Sequence, residues 1–281
     1  MALRRPDLCS GCGRSLAVGT RAEWDSSLKA VTCLECVETR DPAEANGGRS
    51  GLAVESSPQV AEIDTGVAGA SARREADRRT AKREARIEEK WGSGRIGRLA
   101  KALSDDPQTT RAWREGAAGE ERVARRLAER LGDRAVLLHD RKVPGTRGNI
   151  DHLVIASSGV WIVDAKRYKG KVEKRDKGGW FKTDLRLYVG GRDQTKLVEK
   201  MGWQVEAVRS ALGPVEVPVH QALTFVDAEW PLLFAKPLRF GDVWVSWPAK
   251  LADLIAAPGS MSPDEIEATA RTLSMELPAN R

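Results

Sequence analysis

From Asn149 to Lys166 the chain reads Asn-Ile-Asp-His-Leu-Val-Ile-Ala-Ser-Ser-Gly-Val-Trp-Ile-Val-Asp-Ala-Lys, and this stretch constrains the fold more than any other. His152–Ala156 and Val160–Val163 are short apolar runs rich in β-branched and aromatic residues, and Ser157, Ser158 and Gly159 between them supply turn chemistry. The segment therefore predicts an antiparallel β-hairpin. Folding about that turn sets Asp151 opposite the Asp164–Lys166 end. Side chains alternate along a strand, so Asp164 and Lys166 share a face with Ala165 on the other. His152 faces away from Asp151 and receives no role.

Two carboxylates and a lysine beside apolar strands are costly unless they bind something. Such a donor set suits Mg²⁺ (or Mn²⁺), which keeps several waters and takes one or two protein carboxylates. Lys166 could orient or deprotonate a water there, the latter if burial lowers its pKa, or stabilise charge on a phosphate. The competing reading is a surface hairpin ending in an ordinary Asp–Lys ion pair, worth little.

The flanks carry further motifs. Gly116-Ala-Ala-Gly119-Glu120-Glu121 precedes the hairpin, Asn149-Ile150-Asp151-His152 opens it, Gly159-Val160 and Asp164-Ala165-Lys166 follow, and Gln204 lies downstream. In this order the stretch from Trp113 to Leu212 resembles the nuclease-related domain (NERD) family, a branch of the PD-(D/E)xK nucleases. The resemblance implies an α/β, restriction-endonuclease-like core, a mixed central sheet flanked by helices. It also implies that Asp151 and Asp164 are metal ligands, Lys166 the catalytic lysine, Glu120 a helix-borne acid facing the site, and Gln204 a supporting residue from a later helix. The residues around them agree with that layout. Glu115–Leu131 is a helix pattern with Val123, Leu127 and Leu131 on one stripe and Gly132 as its stop. Glu120 lies near that stripe, although a first-turn acid also complements the helix dipole. Ala135–His139 reads as a strand, Arg141–Gly148 as a basic loop, and Val198–Leu212 as a helix bearing Gln204.

Arg147 precedes the hairpin, and Arg167, Lys169, Lys171, Lys174, Arg175 and Lys177 follow it, a cationic surround fitting a nucleic-acid backbone, with DNA the preferred polymer. Trp180 and Phe181 lie among these cations; they could stack on bases, but packing against the sheet is the favoured expectation.

The second strong signal is Cys9-x-x-Cys12 followed by Cys33-x-x-Cys36, the chain's 4 cysteines. Four thiolates at this spacing predict a closed, structural Zn²⁺ site in a small ribbon, Thr20–Trp24 against Leu28–Thr32, that needs metal to fold. Met1–Pro6 lacks the apolar core of a secretory signal, so a reducing, cytoplasmic setting is expected. No run is apolar and long enough to span a bilayer. Arg14, Arg21 and Lys29 are compatible with nucleic acid without being diagnostic.

The predicted organisation is a zinc-ribbon module over 1–40, a disordered linker over 41–70, a basic helical segment over 71–111, the nuclease-like domain over 112–256, and a C-terminal helix and tail over 257–281. Ser71–Trp91 is Arg- and Glu-rich with no apolar stripe, so it is either an arm tracking phosphates or a solvated helix laced with ion pairs, the latter favoured. Ile96, Leu99 and Leu103 at helical spacing predict a helix docked on the core. Val219–Phe225 and Asp242–Ser246 read as strands extending the sheet, with Val215–Val217 adjoining, and Pro248–Leu254 and Ser262–Leu273 as helices. His220 and Trp230, Trp244 and Trp247 read as structural. The net charge of +6 is mild, so local basic runs carry more weight than the total. Together these readings predict a metal-dependent nuclease. The alternatives are a non-cleaving nucleic-acid-binding protein that retains the fold and an interaction protein built on the zinc ribbon.

Overall fold

The computed structural model describes residues 2–3, 5–10, 12–25, 30–38, 62–104, 107–231 and 235–281. Most of the expected linker, together with Gly11 and Lys29, lies outside them. The chain divides into two compact units, Met1–Val60 and Ala61–Arg281.

The first unit pairs β1 (Asp7–Leu8) with β2 (Ser15–Leu16) and β3 (Ala22–Asp25) with β4 (Ala30–Cys33), both antiparallel, and ends in α1 (Leu34–Glu38). The β3–β4 pair is the small ribbon the sequence predicts. Its core is Leu3, Cys9, Leu16, Ala22, Val31 and Cys33. So few apolar side chains offset little of the entropy of ordering this stretch, which is the situation in which small domains lean on a ligand or cross-link.

The second unit opens with α2 (Ala70–Trp91), α3 (Arg95–Leu103) and α4 (Gln108–Leu131), then β5 (Ala135–Lys142), β6 (Asn149–Ala156) and β7 (Gly159–Lys166). After these come β8 (Gly170–Asp176), β9 (Leu185–Val189), β10 (Arg192–Asp193), α5 (Thr195–Glu199) and α6 (Gly202–Leu212). The unit closes with β11 (Val219–Phe225), β12 (Ala228–Glu229), β13 (Leu238–Phe240), β14 (Val243–Ser246), α7 (Pro248–Ile255) and α8 (Pro263–Glu276).

The main sheet runs β13-β14-β11-β7-β6-β5. Strands β5, β6 and β7 form an antiparallel meander, β7–β11 and β11–β14 are parallel, and β13 closes the edge antiparallel. This is the mixed sheet flanked by helices that the sequence predicts. On one face α4 and α7 bury Val123, Leu127, Leu131, Leu251 and Ile255 against Val154, Trp161, Val163 and Ala222. On the other, α6 and α8 bury Val208, Leu212, Ala270 and Leu273 against Leu153, Ile155, Ile162 and Leu223. Each fully buried Leu, Ile or Val stabilises this sandwich by about 1.5–3 kcal/mol. A second sheet, β10-β9-β8-β12, extends the latter layer through Val172, Leu187 and Val189.

Several elements depart from the sequence expectations. Residues 62–69, assigned to the linker, lie along β5: His139 N–H donates to Thr65 O, and Arg141 Nη1 to Asp64 O. Arg141, expected in a basic loop, is instead a fully buried strand residue whose guanidinium also reaches Leu277 O and Ser274 O, tying α8 and the C-terminal strap into the core. The Val198–Leu212 helix is two helices, broken at Lys200–Met201, and Val215–Val217 forms no strand. Helix α4 begins at Gln108, earlier than the apolar stripe indicates, because its first turns pack on α2 rather than on the sheet. The apolar face of α3 is not docked: Ile96, Leu99 and Leu103 are exposed, and Gly97 is the residue that α3 buries, against the Gly92 backbone. The predicted Ser262 start of α8 holds, with a reciprocal Ser262–Glu265 capping box.

Candidate metal and phosphate site

The hairpin register is His152–Val163, Leu153–Ile162 and so on to Ala156–Gly159 about the Ser157-Ser158 turn. One step beyond His152–Val163, Asp151 and Asp164 face each other at the open end. Asp151 Oδ2 accepts the Ala165 N–H at 2.9 Å, and Lys166 Nζ donates to Asp164 Oδ1 at 2.7 Å. Strand alternation thus places Asp164 and Lys166 together, as predicted. His152 faces the opposite way, fully buried with Nδ1 2.9 Å from His139 Nδ1. Burial depresses the His139 imidazole to about 4, assisted by Arg141, and holds His152 well below its usual range, so both rings stay neutral.

Glu120 reaches the same end from α4, only 9 % exposed, and its Oε2 has no hydrogen-bond partner. The Gly69 N–H donates to its carboxylate. Gly69 makes that approach possible: its φ is 70°, and a Cβ there would lie 2.8 Å from Ala117 O. The cleft holds about 490 Å³ and is lined by Ser71, Ala72, Trp113, Glu115, Glu120, Asn149, Asp151, Lys166, Arg167 and Tyr168, among others.

The electrostatics are those of crowded acids. Burial pushes the Asp151 carboxyl well above its usual range, reinforced by Asp164 and Glu120. Burial likewise pushes Glu120 up to about 7, with Asp140 adding to it and Lys166 opposing. For Lys166, burial acts downward, but Asp164 and Asp151 outweigh it and the pKa is raised. In the cation-free protein Lys166 is thus held as an ammonium, and the condition for it to deprotonate a water, a pKa lowered by burial, is not met. An orphaned carboxylate oxygen and acids whose pKa values burial raises are what a hard cation relieves, and an all-oxygen donor set suits Mg²⁺.

Asp140 is an acid that pattern reading passed over. It is buried with φ 48°, and its Oδ2 accepts the Ser71 N–H at 2.5 Å while Oδ1 accepts Asn149 Nδ2 at 2.8 Å. It anchors the N-terminus of α2 to the mouth of the hairpin, where a carboxylate complements the helix dipole. The one signal in the sequence is an aspartate, a residue that tolerates left-handed backbone, at the end of an apolar strand.

Gln204 lies on α6, 6 % exposed, with Oε1 unpartnered, and no hydrogen bond joins it to Lys166. Among the predicted backbone-binding cations, Arg147 and Lys169 are exposed. Arg167 is engaged elsewhere: its Nε donates to Asp227 Oδ2 at 2.6 Å, and Arg122 holds the other oxygen at 2.8 Å. Lys171 pairs with Glu173 at 3.1 Å, and Lys174 donates to Arg239 O at 2.8 Å. Trp180 and Phe181, expected to pack on the sheet, are instead 98 % and 101 % exposed at the tip of the β8–β9 hairpin. The strands that would cover them end at Asp176 and Leu185.

In the first unit the ligand atoms of Cys9, Cys12, Cys33 and Cys36 all lie within 4.8 Å of one another, a set that can hold a metal such as zinc. None is in a disulfide. Cys33 N–H donates to Cys9 Sγ at 3.2 Å, and Gly13 N–H to Cys9 O at 2.8 Å, which closes the first knuckle. Contacts with Cys33 and then Cys12 hold the Cys36 thiol up at about 12, the proton-bound counterpart of a metal-bound cluster. No described helix is long and apolar enough to cross a membrane.

Among known proteins, no curated sequence and no solved structure matches this chain. Residues 115–226 match the family described as NERD, the nuclease-related domain. That stretch runs from within α4, through the acid-bearing hairpin, to the end of β11. The chain thus couples a stretch that matches the nuclease-related domain, residues 115–226, to an N-terminal four-cysteine cluster of zinc-ribbon-like character.

Proposed function

We propose that the protein is a divalent-metal-dependent nuclease hydrolysing phosphodiester bonds of nucleic acid, DNA in the first instance. The observation that carries this reading is the meeting of Asp151 and Lys166 with the orphaned Glu120 carboxylate in one cleft of the nuclease-related stretch, with Asp164 ion-paired to Lys166 beside it. Asp151 and Asp164 would hold Mg²⁺ (or Mn²⁺), with Glu120 as a further ligand. When bound, such an ion supplies positive charge to the phosphate in its transition state and acidifies a bound water.

The chain's own groups do the rest. Burial raises the Asp151 and Glu120 carboxyls, so an ion held there would compete with protons for them. Lys166 keeps its proton, so its role is to donate: it orients the attacking water or a non-bridging phosphate oxygen, with Gln204 supporting it from α6. Arg147, Lys169, Lys171 and Lys174 would add favourable charge for the backbone, while Arg167 is engaged by Asp227, which Arg122 of α4 also holds. The exposed Trp180 and Phe181 favour base stacking over core packing, worth about 1–3 kcal/mol per base. The four cysteines would hold a structural Zn²⁺, and their unoxidised thiols suit a reducing, cytoplasmic compartment.

The test is incubation of purified protein with labelled single- and double-stranded DNA and RNA in Mg²⁺, Mn²⁺ or EDTA, beside Asp164→Ala and Lys166→Ala. Cleavage of at least one substrate, dependent on metal and lost in both variants, is expected. Tight binding with no cleavage under either metal would make the protein a nucleic-acid binder that retains the fold.

A further inference from the structure

Helices α2 and α4 lie antiparallel: Arg73 pairs with Glu121, Arg114 Nη2 donates to Thr80 Oγ1 at 2.9 Å, and the Arg79 guanidinium sits 5.8 Å from the centre of the Trp113 ring. At one end of this pair is the acid cleft, where Ser71 and Ala72 form part of the wall. At the other is a separate open groove of about 620 Å³ between α2, the end of α3 and the start of α4. Its walls carry Arg78, Arg79, Lys82, Arg83, Arg86 and Lys90 and, among the described residues, one acid, Glu75. Glu75 neutralises only Arg78 and Arg79, through contacts of 2.5 and 2.6 Å. Lys82 and Arg86 are exposed and make no ion pair among the described residues. Asp105 and Asp106 follow Ser104 in the sequence and lie outside the described residues; counted with Glu75 they still leave the acids outnumbered two to one. The half-exposed Trp91 indole closes one end, with Lys90 Nζ 5.5 Å from its centre.

From this arrangement we infer that the α2–α4 groove is a second nucleic-acid backbone site, which holds the flank of a strand whose scissile phosphate lies at Asp151 and Asp164. The inference rests on the nuclease reading only for where that strand ends. Cations at 79, 82, 83, 86 and 90 recur at three- and four-residue steps, so they form one stripe along α2. At 1.5 Å per residue, Lys82 to Lys90 spans about 12 Å and Ser71 to Lys90 about 29 Å. At the 3.4 Å rise of a stacked, helical strand, roughly eight nucleotides run from the acid cleft to Lys90. Every residue lining the groove precedes the 115–226 match, so the groove is an addition of this chain to the nuclease-related stretch.

The test is fluorescence polarisation of the full-length protein with labelled single strands of 6 and 20 nucleotides in EDTA, over a salt series. The triple variant Lys82→Gln/Arg86→Gln/Lys90→Gln removes three phosphate partners. It should weaken the 20-mer by about tenfold or more and flatten its log–log salt slope by about 2, while leaving the 6-mer nearly unchanged. The opposite change, Thr109→Lys on the facing wall, should steepen the 20-mer slope by about 0.7, which reads the groove even if the triple variant folds poorly. An unchanged 20-mer slope in both variants overturns the proposal. So does binding of phosphatidylserine vesicles that falls in the triple variant while 20-mer binding holds. A wild-type protein that shows the groove-dependent slope yet cuts nothing in Mg²⁺ or Mn²⁺ ends the nuclease reading and leaves the groove standing.

Discussion

The two ligand clusters of this chain, four thiols and three carboxylates, are built in opposite ways. The cysteines come from two knuckles on a tiny core, and their sulfurs all lie within 4.8 Å of one another. That set is closed: four soft donors complete a tetrahedron and leave no position for a substrate. The carboxylates come from a hairpin and a helix that a large core already holds in place, and a lysine is ion-paired into their midst. Among the described residues they are not gathered as tightly as the thiols, and one Glu120 oxygen is left without a partner. The difference teaches what each cluster is for. On this account the first unit would need its ligand to fold, whereas the second has a large core of its own and would keep unsatisfied charge for a ligand and a reacting phosphate.

Breaking this contrast at its strongest point gives the largest effect. Lys166→Ala should lower the cleavage rate by about 10²–10³ with little loss of Mg²⁺ affinity, while Lys166→Arg should recover part of the rate, since the group acts as a fixed cation. A rate that follows Mg²⁺ affinity down instead would move Lys166 from charge stabilisation to site assembly. Next, Cys33→Ser or zinc chelation should unfold the first unit and leave the second intact, read as loss of NMR dispersion from residues 1–38 alone. Cleavage of short strands should survive. In the second unit, Leu127→Ala, at a fully buried position, should cost about 2–5 kcal/mol in denaturant unfolding.

The crowded acids also set a pH dependence. Glu120 is raised from 4.5 to about 7 in the folded protein, so its contribution is fully present below pH 4.5 and is lost as pH rises through about 7. Cation-free protein should therefore lose several degrees of Tm over that window, and Glu120→Gln should flatten the slope. Stabilisation by Mg²⁺ should grow as pH rises through about 7, where Glu120 gives up its proton. The smallest expected effect is at the hairpin tip. Trp180→Ala and Phe181→Ala should leave stability within about 0.5 kcal/mol and weaken single-strand binding by roughly 5- to 100-fold.

The sequence displayed the hairpin because its signal is local: two apolar runs, a turn, and acids at period-two positions. The same holds for the knuckles, for α8 with its capping box, and for the sheet strands β11 and β14. What it concealed is long-range. Asp140 is invisible until Ser71 and Asn149, far apart in the chain, converge on it. Arg141 reads as loop charge until Asp64, Ser274 and Leu277 close around its guanidinium. The exposed stripe of α3 and the bare Trp180–Phe181 tip show the reverse failure, in which apolar residues were assigned a core that no element supplies. The raised pKa of Lys166 needed the distances, because burial alone argues the wrong sign.

The central claim is that Asp151 and Asp164 hold a divalent cation on which phosphodiester cleavage depends. The most direct measurement is cleavage of one end-labelled oligonucleotide by wild-type and Asp151→Asn protein across a Mg²⁺ titration, with proton release on Mg²⁺ binding followed in parallel near pH 7. The account predicts saturable cleavage with release of protons in the wild type, and loss of both in the variant. Cleavage by Asp151→Asn at the wild-type rate, or wild-type cleavage that persists in EDTA, would contradict it.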